Sequence, residues 1–405
     1  MTTRNKQPRI CMIVQQVYDQ DARVMRYTEA LVQAGALVDV LSTPSDEKMP
    51  INRGGGLRVF TIPLAHTSQS LVSYLFEYLL AMILFSFRLL SLHIKSPYDL
   101  IHVHNMPDFL VFAAFLPRIF GAKLILDIHD PMPEFYQAKF QKKADRPLVR
   151  MMRLQERWSA AFSHAVLTAN PTFKENLIVR GIPAGKITVT QNLPDRSVFN
   201  RNKYPRTTDW QKRFTLLYPG TIAPRYGLHI AIRSLPMLIK EIPVIRLRII
   251  GDDNRHTRAL NSPASDLGVA AYVDIVSLIP RDKIPEEMSR ADIGIYPALP
   301  DPHMSIAMPG KVLEYAIMGL PTVTSRLPVL ENVFSDNTVY YIPPGEPEAF
   351  AQAILDLYLH PEKKDALVNC ADKEFVQVQN WEIEKQKYFH VLARLLPANS
   401  NFPMP

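Results

Sequence analysis

The run Met308-Pro-Gly-Lys-Val-Leu-Glu-Tyr-Ala-Ile-Met-Gly-Leu-Pro-Thr-Val323 reads as a short helix followed at once by a strand. Pro309 and Gly310 sit poorly inside a helix, so the helix begins there, and Gly319 ends it before the β-branched run Pro321-Thr-Val-Thr324. A helix start leaves backbone N–H groups without intrahelical partners and carries the positive end of the peptide dipole, and both favour an anion. Lys311 and Glu314 are three positions apart and share a face of the first turn. There an ammonium can meet phosphate while a carboxylate accepts hydrogen bonds from vicinal sugar hydroxyls. The stretch predicts an α/β unit with a site suited to a nucleoside diphosphate.

Outward from this motif, short apolar runs alternate with helical patterns along the whole chain, the signature of strand-helix-strand units and parallel sheets. In the first half, strands are expected near 9–15, 37–43, 58–63, 99–104, 123–129, 164–169 and 186–191, with a helix near 21–34 that starts at Asp21 and stops at Gly35. Between Asn192 and Phe214 the composition shifts to Pro, Asn, Asp, Arg and Thr, the character of a linker. A second series follows, with strands near 214–219, 245–250, 271–276, 293–297, 321–325 and 339–343 and a helix over 227–240. The expected organisation is a doubly wound domain over 1–198, a second over 199–380, and a terminal segment, 381–405, whose helix packs back toward the first domain. Ligands of such sheets bind beyond the strand C-termini, so the two domains are expected to face a cleft.

The 405 residues suffice for two ordinary cores, and 47% hydrophobic with 21% charged residues is a globular composition. Lys and Arg number 46 against 39 acidic residues, a net charge of +7 that suits anionic small molecules or an anionic membrane surface. Without an Arg/Lys tract, zinc-finger spacing or an aromatic-basic repeat, nucleic acid is not an expected partner. Cys11 and Cys370 lie outside any paired motif, which argues against a disulfide framework or zinc site and for a reducing compartment. The apolar run Ile10 to Val14 is too short for a signal-peptide core, so a cytoplasmic location is expected.

Leu71 to Ile94 is long and mostly apolar, but Glu77 and Arg88 interrupt it eleven positions apart on one helical face, which Ser70, Ser73, Ser91 and Lys95 extend. A charged stripe suits a helix lying on a surface better than one crossing a bilayer. Two readings stand: a long helix packed on the first sheet, or peripheral contact with a membrane through residues 70–95.

Phe214-Thr-Leu-Leu-Tyr-Pro-Gly-Thr-Ile-Ala-Pro-Arg-Tyr-Gly-Leu228 reads as strand, glycine-flanked loop and helix. Gly220 and Thr221 let backbone approach an anion, and Arg225, just before the helix opens, can clamp a diphosphate. His102, His104 and His129 fall at the ends of first-domain strands, with Asp127 and Asp130 flanking His129. A histidine-metal site would need further ligands at recognisable spacing, so no metal is expected. Gly251-Asp-Asp-Asn254 reads as a turn, because adjacent strand residues point to opposite faces. The chain has no Walker lysine loop and no Gly-x-Gly-x-x-Gly, and 15 glycines is a low count for dinucleotide binding.

Taken together these motifs resemble glycosyltransferase family 4, of GT-B fold, over nearly the whole chain. Asp21-Ala-Arg-Val-Met-Arg26, with Glu29-Ala-Leu-Val-Gln-Ala-Gly35, resembles the family's first helix. Asp99-Leu-Ile-His-Val-His104 and Leu126-Asp-Ile-His-Asp130 resemble its donor-facing strand ends. Gly220 to Gly227 resembles its phosphate loop, and Pro309-Gly-Lys-Val-Leu-Glu-Tyr315 its nucleotide-binding helix. The forms Asp-Ile-His-Asp and Pro-x-Lys-x-x-Glu-Tyr recur in the branch that builds bacterial surface polysaccharides.

The resemblance implies transfer of a sugar from a nucleotide sugar, UDP- or GDP-linked, to a hydroxyl with retention at the anomeric carbon and without a metal or other cofactor. Glu314 would hold the ribose, and Gly220, Thr221, Arg225, Gly310 and Lys311 the diphosphate. His129, matching the family's active-site histidine, would contact the donor sugar or the acceptor, with His104, Asp130 and Arg23 toward the cleft or an acceptor that is a glycan or lipid-linked. Two positions depart from the pattern. Many members carry two glutamates eight positions apart, and the earlier position here is Ile306, with Asp301 the nearest carboxylate upstream. Thr221 and Tyr226 stand where many relatives have arginine and lysine, with Arg225 adjacent. A non-catalytic nucleotide-sugar-binding subunit and a sugar-nucleotide epimerase of the same fold remain as alternatives.

Overall fold

The computed structural model describes residues 7–45, 51–64, 71–140, 146–207, 209, 211–252 and 255–396. Ser70 of the expected stripe and Asn254 lie outside them. The chain divides into two compact units: Met1–Asn192 with Glu382–Pro405, and Leu193–Trp381. The first crossing therefore comes six residues before the expected boundary at 198, because Leu193 and Phe199 are buried in the core of the second unit.

Unit 1 runs β1 (Arg9–Val17), α1 (Ala22–Gln33), β2 (Leu37–Thr43), β3 (Asn52–Gly54), β4 (Leu57–Thr61), α2 (Leu71–Lys95), β5 (Leu100–His104), α3 (Phe115–Ile119), β6 (Lys123–Ile128), α4 (Met132–Phe140), α5 (Pro147–Phe162), β7 (Ala165–Thr168), α6 (Pro171–Val179) and β8 (Ile187–Val189). Its sheet order is β3-β4-β2-β1-β5-β6-β7-β8, parallel except for β3. Sequence patterning misses β3, an antiparallel edge strand of three residues, because it is too short for periodicity to register. Asp21 caps α1, its side chain accepting from the backbone N–H groups of Arg23 and Val24 at 3.0 Å each.

Unit 2 runs β9 (Phe214–Pro219), α7 (Leu228–Glu241), β10 (Ile245–Ile250), α8 (Arg255–Asp266), β11 (Val273–Val276), α9 (Ile284–Ser289), β12 (Ile293–Tyr296), α10 (Gly310–Met318), β13 (Thr322–Ser325), α11 (Pro328–Glu331), β14 (Tyr340–Ile342), α12 (Pro347–Leu359) and α13 (Pro361–Ala371). Its strands are all parallel in the order β11-β10-β9-β12-β13-β14. The last helix, α14 (Trp381–Leu395), returns to unit 1. There Glu384 accepts from the Gln191 N–H at 2.8 Å, and the Tyr388 hydroxyl lies 3.2 Å from His102 Nδ1.

Strand order reverses between β1 and β5 in unit 1 and between β9 and β12 in unit 2. Loops leaving those neighbours part there, which opens a crevice at the C-terminal strand ends. The predicted site residues of each unit gather at these two places.

The helix from residue 71 departs from expectation on one point. Glu77 is buried and the Arg88 guanidinium lies 4.8 Å from the Phe60 ring centroid, so of the described side chains in the predicted stripe only its end, Ser91 and Lys95, is exposed. Ala81, Phe85 and Leu89 fill the core, and the face left to solvent is apolar.

Gly227, φ 66°, is the residue before α7, and a Cβ there would lie 1.8 Å from the Pro297 carbonyl oxygen. Gly227→Ala is expected to cost about 3 kcal/mol or more. Thermal denaturation checks this, with the open, positive-φ Gly35→Ala as the milder control.

Candidate functional site

In unit 2 the loop after β9 and the start of α10 meet. Pro309 is the residue before the helix and provides no side-chain cap, Gly310 opens it, and Gly319 closes it in the left-handed region at φ 66°. Tyr315 secures α10 against the sheet, its hydroxyl donating to the Leu217 carbonyl at 3.0 Å. The ring passes so near β12 that a Cβ at Gly294 would stand 2.7 Å from it.

Lys311 does not stand open beside Glu314, as the shared helix face suggested. Its ammonium enters a cradle of three tyrosines, 4.5 Å from the ring centroid of Tyr218, 4.8 Å from Tyr226 and 5.1 Å from Tyr296, and 3.2 Å from the Tyr218 hydroxyl. Gly220, φ 133°, lets the stem pass: a Cβ there would lie 3.1 Å from Lys311 Cε and 3.2 Å from Nζ. Tyr226 is one wall of the cradle. Burial pushes the Lys311 pKa down to about 8, with Glu314 opposing the shift. Burial also raises the Glu314 pKa, opposed by Arg281, 3.9 Å away, and by Lys311.

Arg225 is held at the loop's far end. Its Nε lies 3.5 Å from Asp301 Oδ2, and its carbonyl accepts from the Leu299 N–H at 2.8 Å. Asp301 Oδ1 in turn accepts from the backbone N–H groups of His303 and Met304, at 2.8 and 2.7 Å. The carboxylate nearest to Ile306 in sequence thus pairs with the loop arginine. Thr221 has an exposed side chain, and its carbonyl accepts from the Tyr218 hydroxyl at 2.9 Å.

In unit 1 the hub is Asp127, fully buried on β6. Arg23 grips it through two hydrogen bonds of 2.7 and 3.0 Å and reaches the Thr190 carbonyl at 2.8 Å with its remaining terminal nitrogen. His104, opposite Asp127 in register, brings Nδ1 to 3.2 Å from Oδ2, and His129 Nδ1 lies 3.8 Å from Oδ1. Burial would raise the Asp127 pKa, but Arg23, His104 and His129 outweigh it and hold the carboxyl well below the usual range. Burial lowers both His102 and His104, the former further through His104 beside it.

Arg23 and His104 were expected toward the acceptor, and their burial corrects that reading: they brace Asp127 from behind. His129, with 17% of its side chain exposed, and the half-buried Asp130 remain accessible. His102, His104 and Asp127 also place ligand-type atoms within 4.8 Å of one another. The one carboxylate there is already paired with a guanidinium, so a divalent cation would meet the Arg23 charge.

Asn105 escaped sequence reading. Its Oδ1 accepts from the N–H groups of His129 and Asp130 at 3.1 and 3.2 Å, while Nδ2 donates to the Asp130 carbonyl at 2.6 Å and to Asp108 Oδ1 at 2.8 Å. This one side chain fixes the turn carrying His129. Asp108 behind it is fully buried, and burial together with Glu156 pushes its pKa to about 8. Glu156 and Glu134 both pair with Arg180.

These arrangements define a class, two-unit α/β proteins with a basic, glycine-lined loop facing a helix start in the second unit. The family model for glycosyl transferases group 1 matches residues 213–360, and that for the glycosyl transferase 4-like domain matches residues 20–192. A GDP-mannose-dependent alpha-(1-6)-phosphatidylinositol monomannoside mannosyltransferase of Mycolicibacterium smegmatis is 29% identical over 164 residues, 40% of this chain and 42% of that enzyme. The chain thus matches less than half the length of that relative. Sucrose-phosphate synthase from Thermosynechococcus elongatus superposes with TM-score 0.73 at 16% identity, covering 96% of this chain and 99% of that one. HepE of Anabaena, solved in complex with UDP, superposes with TM-score 0.65 at 15% identity over 96% of this chain and all of that one, 100%. The chain belongs to glycosyltransferase family 4 and has the GT-B fold.

Replacing Asn105 by Ala leaves two N–H groups and a buried carboxyl without their partner. The variant is expected to lose about 3 kcal/mol of stability. Denaturant titration reads the loss, and a variant as stable as the parent would contradict the clamp.

Proposed function

We propose that this chain transfers a sugar from a UDP- or GDP-linked donor to a hydroxyl acceptor, with retention and without a metal. The observation that carries the reading is Lys311, a cation held under the phosphate loop at the start of an uncapped helix. Departure of a nucleoside diphosphate develops negative charge, which Lys311, Arg225 and the helix N-terminus can stabilise in place of a metal. Glu314, one turn along, is the ribose acceptor of hydrogen bonds, with Gly220, Thr221 and Gly310 giving the phosphates backbone access. His129 is the group at the reacting sugar and Asp130 a contact for the acceptor. Ile306 cannot ionise, so the favoured route is front-face: the leaving diphosphate helps to deprotonate the acceptor while the protein orients both.

The acceptor is proposed to be a lipid-linked or glycan intermediate of surface polysaccharide or glycolipid synthesis, handled at the cytoplasmic face of a membrane. The mannosyltransferase relative, named for a phosphatidylinositol acceptor, supports a lipid-linked substrate. Free Cys11 and Cys370 support a reducing compartment. Ile306 favours the second reading, a nucleotide-sugar-binding subunit without turnover.

Purified protein incubated with UDP- and GDP-sugars separates the readings. Slow donor hydrolysis supports transfer, binding without turnover supports the subunit, and an isomerised nucleotide sugar an epimerase. Glu314→Gln and Arg225→Ala are each expected to weaken nucleotide binding by about tenfold, roughly 1.4 kcal/mol, with unchanged melting temperature. Unchanged affinity by calorimetry in both variants would sink the assignment. His129→Ala should lower turnover more than donor affinity, and an unaltered rate would return His129 to a structural role.

A further inference from the structure

Unit 1 presents an outer face that its own fold leaves uncovered. On α2, Phe76, Ile83, Phe87 and Ile94 follow spacings of 7, 4 and 7, which keeps them within a narrow line on one side of the helix. They are 68%, 42%, 70% and 70% exposed, and the line runs for about 27 Å. The stretch Phe76–Lys95 is long and apolar enough to cross a membrane by length and composition. Its opposite side, however, is committed to the core through Ala81, Phe85 and Leu89.

The line continues onto neighbouring helices of the same layer. The 3₁₀ segment Asp108–Ala114 packs between α2 and α5 and leads into α3. Phe120, just after α3, stacks on His93 of α2 at 6.3 Å, and Phe115 stacks on Phe162 of α5 at 6.2 Å. Phe115, Ile119 and Phe120 are more than half exposed, as are Met151 and Trp158 on α5. So many exposed large apolar side chains on adjoining helices of a folded domain mark an interaction site.

Charge decides the occupant. Among the described residues of α2, α3 and α5 the only carboxylates are Glu77 and Glu156, both buried. Lys95, Arg118, Arg150 and Arg157 are exposed among the apolar side chains. A second copy meeting this face by two-fold symmetry would set cations against cations. Apolar side chains, a tryptophan and cations with no exposed acid match an anionic lipid surface, where aromatic rings sit at the headgroups and Lys and Arg meet phosphate.

We propose that the outer face of α2, α3 and α5 docks unit 1 on an anionic membrane, lying in its interface rather than crossing it. The inference rests on the sugar-transfer reading only for its lipid-linked acceptor. It replaces the charged stripe of Glu77 and Arg88 by the apolar line beside it as the element that makes contact.

Full-length protein is sedimented with vesicles of phosphatidylglycerol and phosphatidylcholine, and with phosphatidylcholine alone, for the parent and a Phe87→Glu, Trp158→Glu variant. The parent is expected to partition onto the anionic vesicles at least tenfold better than onto the neutral ones, and the variant to lose at least tenfold, with unchanged melting temperature. Equal sedimentation of parent and variant, or a parent that stays in solution, would overturn the proposal. So would a dimeric parent and monomeric variant in analytical ultracentrifugation without vesicle binding, which would assign the face to a second copy. Donor hydrolysis in solution is expected to be the same in both proteins. Vesicle binding without any hydrolysis would refute the transfer reading and still support the docking face.

Discussion

The ammonium of Lys311 within its three tyrosine rings is the interaction on which the second unit's site depends. It ties the start of α10 to the end of β9, the loop before α7 and, some 70 residues further on, the end of β12. Gly220 leaves the lysine end its room, since a Cβ there would crowd Cε and Nζ at 3.1 and 3.2 Å, and α10 begins at Pro309 and Gly310, aiming its first turn under the loop. A desolvated ammonium surrounded by aromatic faces and little counter-charge is held at some electrostatic cost. On the proposed reading, an incoming diphosphate would relieve that cost.

The hub of unit 1 applies the opposite arrangement, since the buried carboxylate of Asp127 has its own guanidinium. Asp127 is neutralised by Arg23 and hydrogen-bonded from the β5 side by His104, so the strand end that carries His129 is rigid. Removing either member of such a pair strands a charge in the interior. Asn105 adds the final constraint by holding the backbone on both sides of Asp130. Of the three imidazoles gathered here, His129 is the one that keeps some exposure.

Much of this was legible in the sequence. Alternating runs gave the parallel sheets, and Gly-Pro punctuation located α10 to the residue, since the backbone preferences of Pro309, Gly310 and Gly319 are local properties. What escaped depended on distance. Nothing near Arg23 indicates burial, because its partners Asp127 and Thr190 lie 104 and 167 positions away. Asn105 is an ordinary loop asparagine until the register of β5 and β6 brings Asp130 beside it. The face of α2 failed for a different reason. A helix apolar on nearly every side carries little periodic signal, and its two inner charges do not mark its exterior, since Glu77 is buried and Arg88 lies on an aromatic ring.

The placement of Lys311 is tested most directly by titrating UDP and GDP into the parent and a Lys311→Met variant at pH 7 and pH 9. A lysine with a pKa depressed to about 8 is charged at the lower pH and mostly neutral at the higher. The parent's affinity for the better nucleotide should therefore fall by up to about tenfold between them, while the variant binds weakly at both. Parent affinity that is independent of pH and equal to that of Lys311→Met would contradict a diphosphate site built on this residue.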